Sequence, residues 1–358
     1  MRPTSSASKE ESANLPTVTT RFLVRAKRHL LRDARLVASV AVASSVLACA
    51  SARGRPPAAG AEFWAFAAPW DPRSEASATA HDSQLDVLVS GFIVLDSATF
   101  RPTALYTDTS MRSNPGNRRR MALVTSFHGT RFHPETIRAL GSDSTALGQA
   151  AGRTAALLGS AGYRGLILDF EGLTPDDLDV LVRVSNAFAD SARAHGVSPT
   201  GMAIPATDTA AYPGRPLLGA VDFLVVMLYD QHWLTSPPGP IASPDWAMRA
   251  LGIRAGDVGS SRVVAAFPIY GYRWRADSAT AIVSFAEAEA LARDAHVALL
   301  RDPASNTLHA ESDGWSVWVS DATLLDSLVR GARRTGITKF ALWRLGLEDP
   351  RIWTDVVR

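Results

Sequence analysis

Gly165-Leu166-Ile167-Leu168-Asp169-Phe170-Glu171 is the stretch that decides the fold. Its apolar start is continuous and too short for a helix, which is how a parallel strand buried on both faces reads. Residues two apart along a strand face the same side. Ile167, Asp169 and Glu171 therefore share one face, and Leu166, Leu168 and Phe170 the other. Two carboxylates on one face at a strand outlet are unfavourable unless they are used. Like charges at close range disfavour double ionisation, so one carboxyl is expected to stay protonated near neutral pH. A protonated carboxyl beside an ionised one is the pairing that glycoside cleavage uses. The doublet alone is not specific, because strand ends also carry such pairs solvated or as helix N-terminal partners.

Outward from this strand, similar apolar runs recur at Phe63–Ala67, Asp86–Gly91, Met121–Phe127, Thr200–Ile204, Asp222–Leu228, Arg262–Ile269 and Lys339–Trp343. Between them lie amphipathic stretches such as Thr145–Ser160, closed by Gly162, and Pro175–His195, closed by Gly196. Eight strands with intervening helices in about 300 residues predict a (β/α)8 TIM barrel, an α/β fold whose active site sits at the C-terminal strand ends. Residues 271–337 are longer than one unit needs and hold a helix-like run (Phe285–His296) and a strand-like run (Gly314–Val319). They predict a small insertion between strands 7 and 8, at about 275–335.

Further residues cluster at the predicted strand ends. Met227-Leu228-Tyr229-Asp230-Gln231-His232-Trp233 closes the sixth strand, Phe267-Pro268-Ile269-Tyr270-Gly271-Tyr272 the seventh, and Leu342-Trp343-Arg344 the eighth. With Gly165–Glu171 these four motifs, in order, resemble glycoside hydrolase family 18, in the bacterial branch of spore-cortex peptidoglycan hydrolases and multi-module envelope proteins. The resemblance covers roughly residues 62–353. It implies a retaining, substrate-assisted cleavage of β-1,4-linked N-acetylglucosamine polymers, chitin or peptidoglycan, in which the substrate's acetamido group is the nucleophile. Glu171 would then be the general acid/base, Asp169 the residue orienting the acetamido N–H, and Tyr229 the donor to the acetamido oxygen. Trp343 would form the apolar floor under the sugar, and Asp230, Met227, Trp233, Tyr272 and Phe66 would line the cleft. No metal or organic cofactor is implied, and the eight histidines lack metal-ligand spacing.

Two positions depart from the family pattern. The inner Asp of its fourth strand is Ile167 here, which leaves Asp169 with Glu171 and the substrate as its expected partners and predicts slower turnover with a displaced acid limb. The family's first Asp is Arg164, on the other face, where it is expected to be tolerated. Glu348-Asp349-Pro350 reads structurally, with Asp349 as an N-cap and Pro350 opening a helix. The Arg118–Arg120 run reads as a solvated face, while His232 and Trp233 fit a loop anchor as well as a cleft wall.

Charge and composition narrow the class. Residues 1–48 hold eight Lys/Arg and three Asp/Glu, leaving 29 basic and 32 acidic residues from position 49 onward. A nucleic-acid binder would carry its basic excess on the folded part. Arg25, Lys27, Arg28, Arg32 and Arg35 precede the apolar run Leu36–Ala48, too short for a bilayer-spanning helix of about 20 residues. A basic flank followed by a short apolar run is an export-signal pattern, here over residues 1–49. The single cysteine, Cys49, ends the run as Val46-Leu47-Ala48-Cys49, which resembles a bacterial lipobox and predicts acylation of Cys49. The chain is thus expected in the cell envelope, touching the membrane through that anchor alone, and as a monomer. The long stretch before Arg25 suggests a translation start downstream of Met1. Residues 50–61 read as a flexible tether and 62–358 as the barrel. A non-catalytic glycan-binding lipoprotein on the same barrel is the alternative function. Proteins of that kind usually lose the acid, whereas Glu171 is present.

Overall fold

The computed structural model describes residues 60–106 and 119–357. The export signal, Cys49, residues 50–59 of the tether and Arg118 lie outside the described residues. In chain order the first half contains β1 (Glu62–Phe66), α1 (Pro72–Ala80), β2 (Val87–Leu95), β3 (Pro102–Tyr106), β4 (Arg119–Thr125), β5 (Phe127–His128), β6 (Arg131–Phe132), α2 (Pro134–Ser142), α3 (Ser144–Ser160), β7 (Leu166–Asp169) and α4 (Leu178–Ala194). There follow β8 (Thr200–Pro205), α5 (Gly214–Leu218), β9 (Phe223–Met227), α6 (Pro244–Val258), β10 (Val263–Pro268), β11 (Gly271–Arg275), β12 (Ala281–Val283), α7 (Phe285–Asp294), β13 (Leu300–Arg301), β14 (Leu308–Ser312), β15 (Trp315–Val319), α8 (Ala322–Arg334), β16 (Lys339–Trp343) and α9 (Ile352–Asp355).

All eight predicted strands are present. They run in the order β1-β2-β4-β7-β8-β9-β10-β16, every neighbouring pair is parallel, and β16 pairs back onto β1. The sheet is therefore a closed (β/α)8 barrel. β7 lies between β4 and β8, with Asp169 opposite Thr125.

The predicted division of faces holds. Ile167 packs inside the barrel with Trp64, Phe92, Leu123 and Val225, whereas Leu166, Leu168 and Phe170 face the helix layer. This two-sided burial explains why the strands read as continuous apolar runs. The α3 and α4 stretches end as expected, with Gly162 and Gly196 at φ 82° and 74°, and Asp143 caps α3 by accepting from the Thr145 and Ala146 amides. Arg164 is exposed.

Between β10 and β16 stands a five-stranded antiparallel sheet, β12-β11-β15-β14-β13, with α7 against one face. Its strands span Gly271–Val319, and α8 packs on the barrel layer through Leu324, Leu325 and Leu328. Two sequence expectations need correction. Arg120 is not on a solvated face: its side chain is largely buried and pairs with Asp82 at 3.5 Å. Asp349 is not a cap of α9, whose N-cap is Arg351. Instead its carboxylate accepts from the Ala322 amide at the start of α8 and from Arg351, tying the end of the barrel to its last large helix. The antiparallel strand β3 and the β5–β6 hairpin were not anticipated.

Candidate active site

Glu171 stands two residues past the end of β7, and the turn after it bends through Gly172 at φ 78°, a conformation that glycine adopts without strain. Asp169 is buried, and burial pushes its carboxyl up to about 6. Glu171 is partly buried. Burial first, then the negative charges of Asp169 and Asp230, hold its carboxyl well above the usual carboxylate range. Both strand-end carboxyls are thus shifted upward, Glu171 partly by the charge of Asp169.

Asp169 has a partner that the sequence pattern did not supply. The Thr125 hydroxyl donates to Asp169 Oδ2 at 2.9 Å, while Thr125 Oγ1 accepts from the Phe127 amide at 2.9 Å. Because the amide occupies an acceptor position on the hydroxyl, the Thr125 proton is directed at Asp169. The expectation that Asp169 has Glu171 and substrate as its partners is therefore corrected. With Ile167 fully buried in the interior cluster, Thr125 on the neighbouring strand supplies a hydrogen bond instead. That bond lowers the Asp169 pKa against burial. Thr125→Val keeps the shape but removes the donor, so Asp169 is expected to titrate at higher pH and the acid limb of any rate profile to move upward. Thr125→Ser should leave the limb where it is. A pH–rate series on the three proteins checks this.

The aromatic residues meet at the same outlet. Trp343, half-buried at the end of β16, stacks with Tyr229 (ring centroids 6.1 Å apart, 10° between planes) and meets Phe66 edge-on at 5.3 Å. Tyr229 follows β9, and its phenol is pushed well above its ordinary value by burial and by the charges of Glu171, Asp169 and Asp230. It therefore remains a hydrogen-bond donor. Met227, at the end of β9, packs beneath on the interior cluster with Tyr229 and Trp343.

Asp230 adopts φ 58°, in the left-handed region that Asp tolerates better than most residues. Its carboxylate accepts from the Tyr270 and Tyr272 hydroxyls, the latter at 2.9 Å. Burial among these rings pushes its carboxyl up, and the two hydroxyls oppose this. Tyr270 was not among the expected site residues. Its alternation with Tyr272 at the end of the seventh strand was the signal available for it.

The loop after β9 divides the roles of its two candidates. His232 packs on Gly239 and its Nδ1 lies 3.0 Å from the Pro237 carbonyl, so it anchors the loop. Trp233 is 49% exposed, while its backbone carbonyl accepts from Trp274 Nε1 at 3.3 Å. Glu348 accepts from the Ser77 hydroxyl and the Gly346 amide, a structural use. Among the described residues, no group of three or more His, Cys, Asp or Glu side chains is arranged to hold a metal ion.

The class that fold and site define is a (β/α)8 barrel with two carboxyls at the outlet of its fourth strand, stacked aromatic residues at the outlets of the sixth and eighth, and a sheet inserted before that eighth strand. No family model matches the chain. A putative sporulation-specific glycosylase, YdhD of Bacillus subtilis, is 26% identical over 160 residues, which is 43% of this chain and 38% of the relative. The matched regions span between 38% and 60% of the length of such curated relatives, which are named glycosylases or cortical fragment-lytic enzymes. The spore cortex-lytic enzyme SleL of Bacillus cereus superposes with a TM-score of 0.74 at 19% identity, over 83% of this chain and 74% of that one. A family GH18 chitinase of Cycas revoluta gives a TM-score of 0.70 at 18% identity, over 82% of this chain and 97% of that one. The fold is the one these enzymes share, and the likeness to glycoside hydrolase family 18 seen in the motifs agrees with it.

Proposed function

We propose that the protein hydrolyses a β-1,4-linked glycan containing N-acetylglucosamine, with Glu171 as general acid/base and the substrate's acetamido group as nucleophile. The observation that carries this is the carboxyl pair at the outlet of β7, where burial and neighbouring charge hold the Glu171 carboxyl well above the usual range beside Asp169, at the same barrel end as the stacked Tyr229 and Trp343. In this reading Glu171 gives its proton to the leaving glycosidic oxygen as the acetamido oxygen bonds to the anomeric carbon. Water then attacks that carbon and returns a proton to Glu171, releasing the sugar with retained configuration. Asp169 accepts from the acetamido N–H and balances the positive charge of the cyclic intermediate. Tyr229 donates to the acetamido oxygen, and Trp343 packs on the C–H face of the ring. Asp230, Trp233, Tyr272, Phe66 and Met227 shape the cleft.

Peptidoglycan is the substrate favoured by an envelope location, which rests on the basic flank, the short apolar run and the proposed acylation of Cys49. Incubation with peptidoglycan and with N-acetylglucosamine oligomers tests the reading, with Glu171→Gln alongside. Product release that depends on Glu171 supports it. Binding without release by either protein would make this a glycan-binding protein.

Ile167→Asp addresses the family departure. A carboxyl below Asp169 would supply a second proton partner, so the acid limb is expected to shift relative to wild type. An unchanged rate and profile would remove Ile167 from the account.

A further inference from the structure

The turn that carries Glu171 is gripped from behind by a side chain of the next barrel unit. Tyr212, 1% exposed, donates its hydroxyl to the Phe170 carbonyl at 2.9 Å and accepts from the Leu173 amide at 3.2 Å. One hydroxyl thus bridges the backbone on both sides of Glu171 and Gly172. Tyr212 belongs to the segment joining β8 to α5, and that segment is held in turn by Arg254 of α6.

Arg254 is an unusual cation. It is 1% exposed, and among the described residues no ion pair joins it to a carboxylate. Its guanidinium instead donates to the carbonyls of Pro205 (2.5 Å), Ala206 (3.2 Å), Asp208 (2.8 Å) and Tyr212 (2.5 Å). A buried charge needs compensation. Here every hydrogen bond to the guanidinium comes from a carbonyl of one loop, with the charges of Asp208 and Asp257 favouring the cation from a distance, and a planar fork with five donors suits that arrangement in a way an ammonium does not. The hydrogen bonds that lead from Arg254 toward Glu171 run through the loop and the Tyr212 hydroxyl.

We infer that Arg254 and Tyr212 form a positioning relay: Arg254 fixes the 205–212 loop, that loop aims the Tyr212 hydroxyl, and the hydroxyl sets where the Glu171 carboxyl stands. The inference rests on Glu171 being the proton donor. A misplacement of about 1 Å at a reacting group can lower a rate by about 10²-fold, so a relay of this kind has something to protect.

Tyr212→Phe retains the buried ring and removes both hydrogen bonds. On an N-acetylglucosamine oligomer it is expected to lower kcat by roughly tenfold with KM unchanged, the pattern of a group acting on the transition state alone. Arg254→Lys, which keeps the charge but cannot span four carbonyls, should lower kcat in the same way by a smaller factor. Combined with Tyr212→Phe it should add nothing further, because it acts through that hydroxyl. Amide exchange at Leu173 should quicken in Arg254→Lys although the two residues do not touch. Unchanged kcat in Tyr212→Phe, multiplicative losses in the double variant, or unaltered Leu173 exchange in Arg254→Lys would each overturn the relay. Failure of the wild type to release product would sink the role of Glu171 separately, and the exchange measurement would still decide whether Arg254 holds the turn.

Discussion

Glu171→Gln is expected to reduce product release from N-acetylglucosamine oligomers by about 10²–10⁴-fold, the usual contribution of a positioned proton donor. Gln fills the same space and can still hydrogen-bond to a glycosidic oxygen, but it has no proton to transfer. The fall should therefore appear in kcat, with binding of the oligomer retained and measurable by calorimetry. A second consequence has the opposite sign. Glu171 sits among Asp169 and Asp230, and burial and those charges hold it well above the usual carboxylate range. A carboxyl with a raised folded pKa binds more protons in the folded state than in the unfolded one between the two values. Stability must then fall as pH rises through that window, by about 1.4 kcal/mol per pH unit. The loss accumulates across the window and is complete above it, so the Gln variant should melt at a higher temperature than wild type by a margin that grows from neutral to alkaline pH. At pH 4 the difference should vanish. A dead variant that is also more stable would mark Glu171 as retained for chemistry; equal or lower melting at pH 8 would contradict the electrostatic account.

Asp169→Asn is expected to cost about 10²–10³-fold in kcat, as removal of one preorganised electrostatic group typically does. Asn can still accept from Thr125, whose hydroxyl now donates to Asp169 at 2.9 Å. What it lacks is the negative charge that would balance a cationic intermediate and a carboxylate that can share a proton with Glu171. The profile should change along with the rate. Without the Asp169 charge, Glu171 loses one of the two neighbouring charges that raise it, so its own titration should move downward and the basic limb with it. Thr125→Val moves the other limb, upward, so the two variants separate the two carboxyls. An Asn variant with near wild-type kcat would mean that Asp169 is a structural strand-end residue.

The barrel was readable in the sequence because its strands are buried on both faces, and continuous apolar runs of four to seven residues fit few structures besides a sheet covered on both sides. Asp169 and Glu171 were readable for the same reason, as charges standing where apolar residues belong. The short antiparallel pieces β3, β5 and β6 lacked a pattern long enough to register. Thr125 was missed because its role depends on which strand lies beside β7, a pairing no local pattern contains. The one trace of it is a polar Thr125-Ser126 ending an otherwise apolar run. Tyr212 and Arg254 left no trace at all, since a buried tyrosine and an arginine on a helix acquire meaning only when their hydrogen bonds are seen. Asp349 misled in a different way: Asp-Pro is a common helix opening, but here the carboxylate answers to α8, 27 residues away in sequence.

The inserted sheet leaves and rejoins the barrel at neighbouring points. Gly271 and Val319 are paired across β11 and β15, and the Ser320 amide donates to the Tyr270 carbonyl at 3.1 Å. The two ends are therefore about one strand spacing apart, roughly 5 Å, a gap that a short turn closes at small entropic cost. Such a junction behaves as a socket. A longer, shorter or different module could be seated between Tyr270 and Ser320 without altering the register of β10 and β16. Tyr272 and Trp274 would leave with the module, whereas Asp169, Glu171 and Trp343 would stay. In this architecture the length and lining of one side of the barrel mouth can be exchanged as a unit, leaving the strand-end carboxyls where they are.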